Sequence, residues 1–473
     1  MNKLLILYLL ALQCLGATVV YGQSNTIVTK QYDDGGVYEG TFRDGLQHGK
    51  GTYRLPNGYE YVGDWSDGEI KGEGIAKFPN GSVYEGTFKK GKPEGIGKIT
   101  DADGGTYEGS WVDGEISGQG IIIYKNGDRY EGGFERGKHH GRGRMTYVGG
   151  YIYDGDWVNG EKQGFAKVSY PDGVLYEGDI VAGQHQGSGT LKMPSGVVFE
   201  GLWEKGQING KGRLTQPNGD IYEGTLVNGI RQGEGRIVYA NGDIYDGNFE
   251  QDQPEGQGTF IGKDGYSYVG NWNAGKMEGA GEITYADGST YVGNFTAGNP
   301  NGKGKITYHN ASSYEGDWVN GSIEGEGIAT YPNGITYKGA FKNARFHEFG
   351  VMVYSDGQTY EGEWKDGLRH GKGKATFPDG MVYDGEYQSG QRHGIGKITL
   401  ADGFSYEGTW ENGEINGFGK ATYSDGSVYE GNFVQGRRQG EGTVKFGSGE
   451  ERTGAWENGA LVSSETDGMV KEN

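Results

Sequence analysis

One phrase returns every 23 residues from Tyr38 onward, with no insertion or deletion in between. Its leading aromatic falls at Tyr38, Tyr61, Tyr84 and Tyr107, through Phe199, to Tyr429, giving eighteen complete copies over 38–451 and a degenerate start at Arg452. A fixed period of this length marks a repeat architecture, in which each unit contacts only its neighbours and stability is nearly additive along the chain. The repeats leave no room between 38 and 451 for a separate globular domain.

With the leading aromatic as position 0, Gly recurs at +2, +7, +11, +13 and +20, and an apolar residue stands at +4 in every copy. All nine tryptophans occupy that slot, among them Trp65, Trp111 and Trp364. Even positions of a strand share a face, so Tyr38, Gly40 and their equivalents at +4 form an aromatic–Gly–aromatic face, and Glu39 at +1 looks the other way. A second strand follows, with Gly72 and Gly74 at +11 and +13 and an aliphatic residue at +15. Gly68 at +7 and the residues at +9 and +10 fall in the connection between the two strands. "PNG", "PDG" and "ADG" between units are turns in which Gly accepts a positive φ and the preceding Asn or Asp bonds its own backbone.

Glycine weakens a strand unless another group must approach the backbone closely. Rings at 0, +4 and +17 are therefore expected to lie over glycines of neighbouring strands, giving one sheet its own apolar layer. Hydrophobic residues make up only 33% of the chain, too few for several deep cores, while 13% aromatics is too many for a disordered one. The fold class that follows is all-β: an elongated, single-layer, twisted antiparallel sheet of tandem 23-residue β-hairpins. Residues 23–37 read as an N-terminal half-repeat, 452–459 as a C-terminal half-repeat, and 460–473 as a polar tail that frays.

The unit Y-E-G-x-[WF]-x-x-G-x-x-x-G-x-G, as in YEGEWKDGLRHGKG (Tyr360 to Gly373), resembles the MORN repeat, the membrane occupation and recognition nexus, over residues 26–459. The resemblance implies an elongated ribbon of hairpins used for scaffolding, for organising assemblies, for dimerising and for contacting membranes. Similar repeats in some relatives precede a phosphoinositide kinase or methyltransferase domain; none is read in this chain.

Residues 1–22 have the layout of a cleaved secretory signal: Lys3, an apolar run from Leu4 to Leu12, then small residues at Gly16, Ala17 and Gly22, with cleavage before Gln23. Export departs from the many intracellular relatives. Cys14, the single cysteine, lies inside that segment, so the mature chain would have neither disulfide nor thiolate site.

Nothing in the pattern points to catalysis, a cofactor, a metal or a small-molecule substrate. Seven of the eight histidines lie at +9 or +10, one per unit except at His139 and His140, too widely spaced for a metal cage. Acidic residues at +1 and bases at +12 and +14 share the outer face and read as a cross-strand charge ladder. "DADG" at 101–104 reads as an ordinary turn rather than a Ca²⁺ loop. The sequons at Asn80, Asn294, Asn310 and Asn320 fall at positions expected to be exposed.

Two clusters stand out as partner sites. The fourteenth copy replaces two glycines by Ala344 and Glu348 and brings Arg345, Phe346, His347 and Phe349 together, as a binding spot or a bend. Arg369, His370, Arg392, His393, Arg437 and Arg438 form a basic rim. The net charge of −20 disfavours nucleic acid and anionic bilayers in bulk. Protein partners and self-association are the leading expectation; a peripheral contact between the basic rim and anionic head groups is the alternative.

Overall fold

The computed structural model describes residues 26–464; residues 1–25, which include the expected signal segment 1–22, and residues 465–473 lie outside the described residues. Among the described residues there are 39 strands and no helix. They fall into two compact units, divided between Ile208 and Asn209. Within each unit the strands form one open antiparallel sheet, each strand pairing with the strands just before and after it in sequence.

The second copy shows how the residues dictate the hairpin. Glu60–Ser66 pairs with Glu69–Lys77, joined by Asp67 and Gly68 alone. Both linking residues have positive φ, 55° and 85°, the geometry whose twist matches the flanking strands and which Asp-Gly and Asn-Gly favour. The second strand is two residues longer because it carries a bulge: Gly63 opposes Gly74 and Trp65 opposes Ile70, so two extra residues are inserted around Gly72, whose φ is 110°. The connection is thus a two-residue turn, and the residues at +9 and +10 lie in the second strand. This corrects the longer loop expected from the sequence. The strongly turning "DG" at +6 and +7 needs no help from its neighbours.

Between units the chain turns through the "PNG" segment as expected: Gly58 donates to the Leu55 carbonyl at 3.1 Å, and Asn57 Oδ1 accepts the Tyr59 N–H at 2.9 Å. Turns on the opposite edge are also tied together, Gly68 donating its N–H to the Gln47 carbonyl of the preceding copy at 2.9 Å.

At the N-terminal end Val28–Gln31 pairs with Val37–Arg43, a lone second strand. At the other end Glu451–Glu457 is followed by a strand, Ala460–Ser464, where a fraying tail was expected. Leu461 opposes Trp456 and packs on the apolar layer, filling the slot that Ile70 fills opposite Trp65. One apolar residue at the right register is enough to hold the strand.

Candidate functional site

The sheet has two chemically distinct faces. On one, each leading tyrosine folds back over its own hairpin. Tyr61 is wholly buried; a β-carbon on Gly74 would fall 2.6 Å from its Cζ, and one on Gly63 would fall 2.5 Å from the Gly74 Cα. Tyr38 covers Gly40 and Gly51 in the same way. The glycines at +2 and +13 are therefore sockets, as the sequence suggested, but for the ring of the same unit. Those at +7 and +11 serve the turn and the bulge instead. The Tyr61 hydroxyl donates to the Asp64 carbonyl at 3.0 Å, and the bond recurs with Tyr84 to Thr87 and Tyr107 to Ser110.

The ring at +4 bridges consecutive tyrosines edge to face. Centroids are 5.1 Å apart for Tyr84–Trp111, 5.5 Å for Tyr107–Trp111 and 5.2 Å for Tyr107–Phe134. Such pairs contribute about 0.5–1.5 kcal/mol each beyond area burial. The Trp111 indole N–H donates to the Gly97 carbonyl at 3.2 Å, and Trp364 bonds Gly350 alike. Burial pushes the Tyr84 and Tyr107 hydroxyls up to about 12.

The residue at +9 caps this layer. Arg369 lies 4.8 Å from the Tyr360 ring centroid and donates to the Tyr354 hydroxyl at 2.8 Å. Arg392 sits 5.0 Å from Tyr383, and Arg438 4.1 Å from Trp456. Half the expected basic rim is thus folded over the rings, in strands rather than loops, while Arg437 is exposed. His370 and His393 are half-buried in the same strands, Leu368–Thr376 and Gln391–Thr399. His139 and His185 stack on Tyr130 and Tyr176 at 3.7 and 3.6 Å, each bonding a tyrosine hydroxyl of the preceding unit. Burial holds His139 down to about 4. The role of +9 as a lid was missed because a loop was expected there; its signal is that, apart from Gln47 in the first copy, +9 carries Ile, Pro, Met, Phe, His, Lys or Arg, all able to cover a ring.

The fourteenth copy keeps the standard pairing, so it is no bend. Phe346 stacks on Tyr337 at 4.0 Å, whereas Phe349 is exposed opposite Glu363. Arg345, Phe346, His347 and Phe349 do not form one patch: alternation sends Phe346 to the ring face, apart from the other three. Ala344 and Glu348 adopt the left-handed φ of the glycines they replace, 58° and 51°.

On the outer face the ladder is present. Lys167 meets Glu177 at 3.0 Å, Lys305 meets Glu315 at 3.3 Å and Lys397 meets Glu407 at 3.1 Å. Between the charges stand exposed apolar residues, including Ile96, Phe165, Phe349, Ile395 and Phe418 at +12. Asn80, Asn294, Asn310 and Asn320 are all exposed. Among the described residues no three His, Cys, Asp or Glu side chains gather into a cluster able to hold a metal.

An open sheet of in-phase hairpins sealed by its own rings defines a repeat-built interaction module. The MORN-repeat family model matches eighteen stretches from 38–58 to 429–451, and the chain belongs to that family. Alsin of Rattus norvegicus is 41% identical over 58 residues, 11% of this chain and 4% of that protein; human Alsin is 38% identical over the same length. The chain thus spans only 4% of the length of these relatives. Among solved structures, the SAS-4 TCP domain of Drosophila melanogaster, in complex with a proline-rich motif of Ana2, matches 32% of this chain and 81% of its own at 15% identity and a TM-score of 0.21. The TCP10 domain of Danio rerio CPAP matches 56% and 93% at 14% identity and a TM-score of 0.14.

Proposed function

We propose that this chain is a non-enzymatic, exported scaffold that contacts other proteins, or further copies of itself, through its faces. The observation carrying the reading is that the rings complete their own packing within one layer. The hydrophobic surface they need is supplied internally, so the outer face, with its ladder of paired charges and its exposed Ile96, Phe165, Ile395 and Phe418, is left for partners. Aromatic and aliphatic anchors ringed by polar groups are the composition of protein interfaces.

Export is part of the proposal. Amino-terminal sequencing of the secreted chain is expected to begin at Gln23; a chain recovered inside the cell beginning at Met1 overturns it. Affinity capture from the extracytoplasmic fraction is expected to recover defined proteins at physiological salt. Flotation with vesicles containing anionic lipid separates the alternative. Binding that disappears in Arg345→Glu/Arg437→Glu, with no protein captured, would favour the membrane reading, because both arginines are exposed.

A further inference from the structure

The ring slot at +17 forms the outer row of the aromatic face, and its side chain covers the apolar residue two places earlier. Val168, Ile237 and Ile283, which precede Tyr170, Tyr239 and Tyr285, are 2%, 3% and 3% exposed. Where the row carries Gln216, Gly262 or Asp101 in place of an apolar side chain the cover is lost: Leu214, Phe260 and Ile99 are only half-buried, whereas Leu191 and Ile398 stay buried beside Met193 and Leu400. Asp101 is the single carboxylate in that row. The place that holds Tyr59, Tyr151 or Phe404 in other copies is here Gly105.

The double gap opens a cavity of about 840 Å³ on the ring face. Its floor is Ile99, Trp111, Ile116, Ile122 and Met145, and Tyr124 forms a wall. Asp101, Asp103 and Asp128 line it, with Lys125 as the one cation, 3.9 Å from Asp103. Asp128 is spent on the Val148 N–H and on Asn126. Asp101 accepts only the Ser82 hydroxyl, through Oδ1 at 3.2 Å, so Oδ2 has no partner among the described residues. The cavity lined by Lys303, Lys305, Lys338, Glu315 and Glu326 on the outer face is smaller, at about 530 Å³, and carries no excess of carboxylates.

We infer that this cavity holds a basic side chain and its apolar neighbour from an extended segment of a partner protein. The inference deepens the reading of the chain as a protein-interaction module and rests on it. Charge complementarity selects the cation, which would sit among the carboxylates against the Tyr124 ring face. The apolar floor selects the neighbour. Ile99 and Met145 are separated by four strand spacings, roughly 19 Å at ~4.8 Å each, the reach of about six extended residues at ~3.3 Å. A single amine would leave most of that floor uncovered.

The test is selection of random twelve-residue peptides displayed on phage against the full mature chain. Peptides pairing Lys or Arg with an apolar residue are expected to be recovered, and to bind Asp101→Tyr at least about tenfold more weakly. That variant restores the residue most other copies carry, so it is expected to fold; Asp101→Asn/Asp103→Asn keeps the shape and removes charge, and is expected to weaken binding and flatten its salt dependence. Recovered peptides that bind both variants as well as the parent chain overturn the cavity and leave the interaction reading standing. A chain that selects no peptide overturns the cavity too, and one that also captures no protein overturns the interaction reading.

Discussion

Three alanine substitutions within one hairpin separate the roles of glycine. At Gly293, a β-carbon would fall 2.6 Å from the Gly304 Cα and 2.7 Å from Tyr291 Cζ, so both the facing strand and the ring stand in its way. Real β-carbons do not approach so closely, and the facing strand cannot retreat without breaking its ladder. The ring must leave, and Tyr291 is 0% exposed. Expelling it costs about 3–5 kcal/mol, the range for losing a buried aromatic. At Gly304 the three atoms nearest the new carbon all belong to the Tyr291 side chain, with Cζ at 2.5 Å. The site can accommodate a methyl group: in the copy where Ala166 already occupies this slot, Tyr153 is still fully buried. Overpacking of this kind costs about 1–3 kcal/mol. At Gly298 nothing lies within 4 Å, but φ is 93°, so alanine costs about 1–2 kcal/mol through backbone strain alone. Global melting is a poor readout, since a long repeat array need not unfold in one step. Native-state hydrogen exchange on the amides of Thr290–Thr296 and Asn299–Thr307 reads the local opening energy directly. The expected order of damage is Gly293→Ala, then Gly304→Ala, then Gly298→Ala, with amides beyond the neighbouring repeats unchanged. Equal effects at all three, or a tolerated Gly293→Ala, would refute the socket argument.

Other consequences follow from the same packing. Trp111→Phe loses the indole bond to Gly97 and part of the bridge between Tyr84 and Tyr107; a local loss of about 1–3 kcal/mol is expected from exchange at Thr106–Val112. Glu348→Gly relieves a left-handed φ and is expected to slow exchange across Arg345–Val353 by about 1 kcal/mol, with Ala344→Gly alike. His139 is held at about 4, below its ordinary 6.5, because burial disfavours its charged form. The unfolded chain then binds the proton first, so the local stability of residues 130–157 is complete above 6.5 and declines as pH falls from 6.5 towards 4. His139→Phe is expected to abolish that decline, read by exchange at two pH values.

The repeat, its sidedness and the sockets under Tyr38 and Tyr61 were legible because period and alternation are properties of the chain alone. The two-residue turn was legible too, since Asp-Gly and Asn-Gly recur at +6 and +7. Overlooking it displaced the second strand and put lid residues such as Arg369 and Arg438 in a loop rather than over the rings. Which ring covers which glycine was not legible: it depends on the bulge at Gly72, which shifts register between two otherwise regular strands. The cavity beside Asp101 was concealed for a different reason, because "DADG" satisfies an ordinary turn and its consequence is what it fails to cover two residues back.

Titration of tyrosinate absorbance, followed together with circular dichroism, tests most directly whether rings seated on bare backbone hold a single layer. Burial raises the hydroxyls of the leading tyrosines, Tyr38, Tyr84 and Tyr291 to about 12, above the ordinary 10.0. Below 10.0 both states keep the proton and stability is complete; above it the unfolded chain loses the proton first, so stability falls as pH rises towards 12. The account predicts one class of tyrosines that ionises only as the strand signal collapses. Complete, reversible ionisation near 10 with the strand signal intact would contradict it.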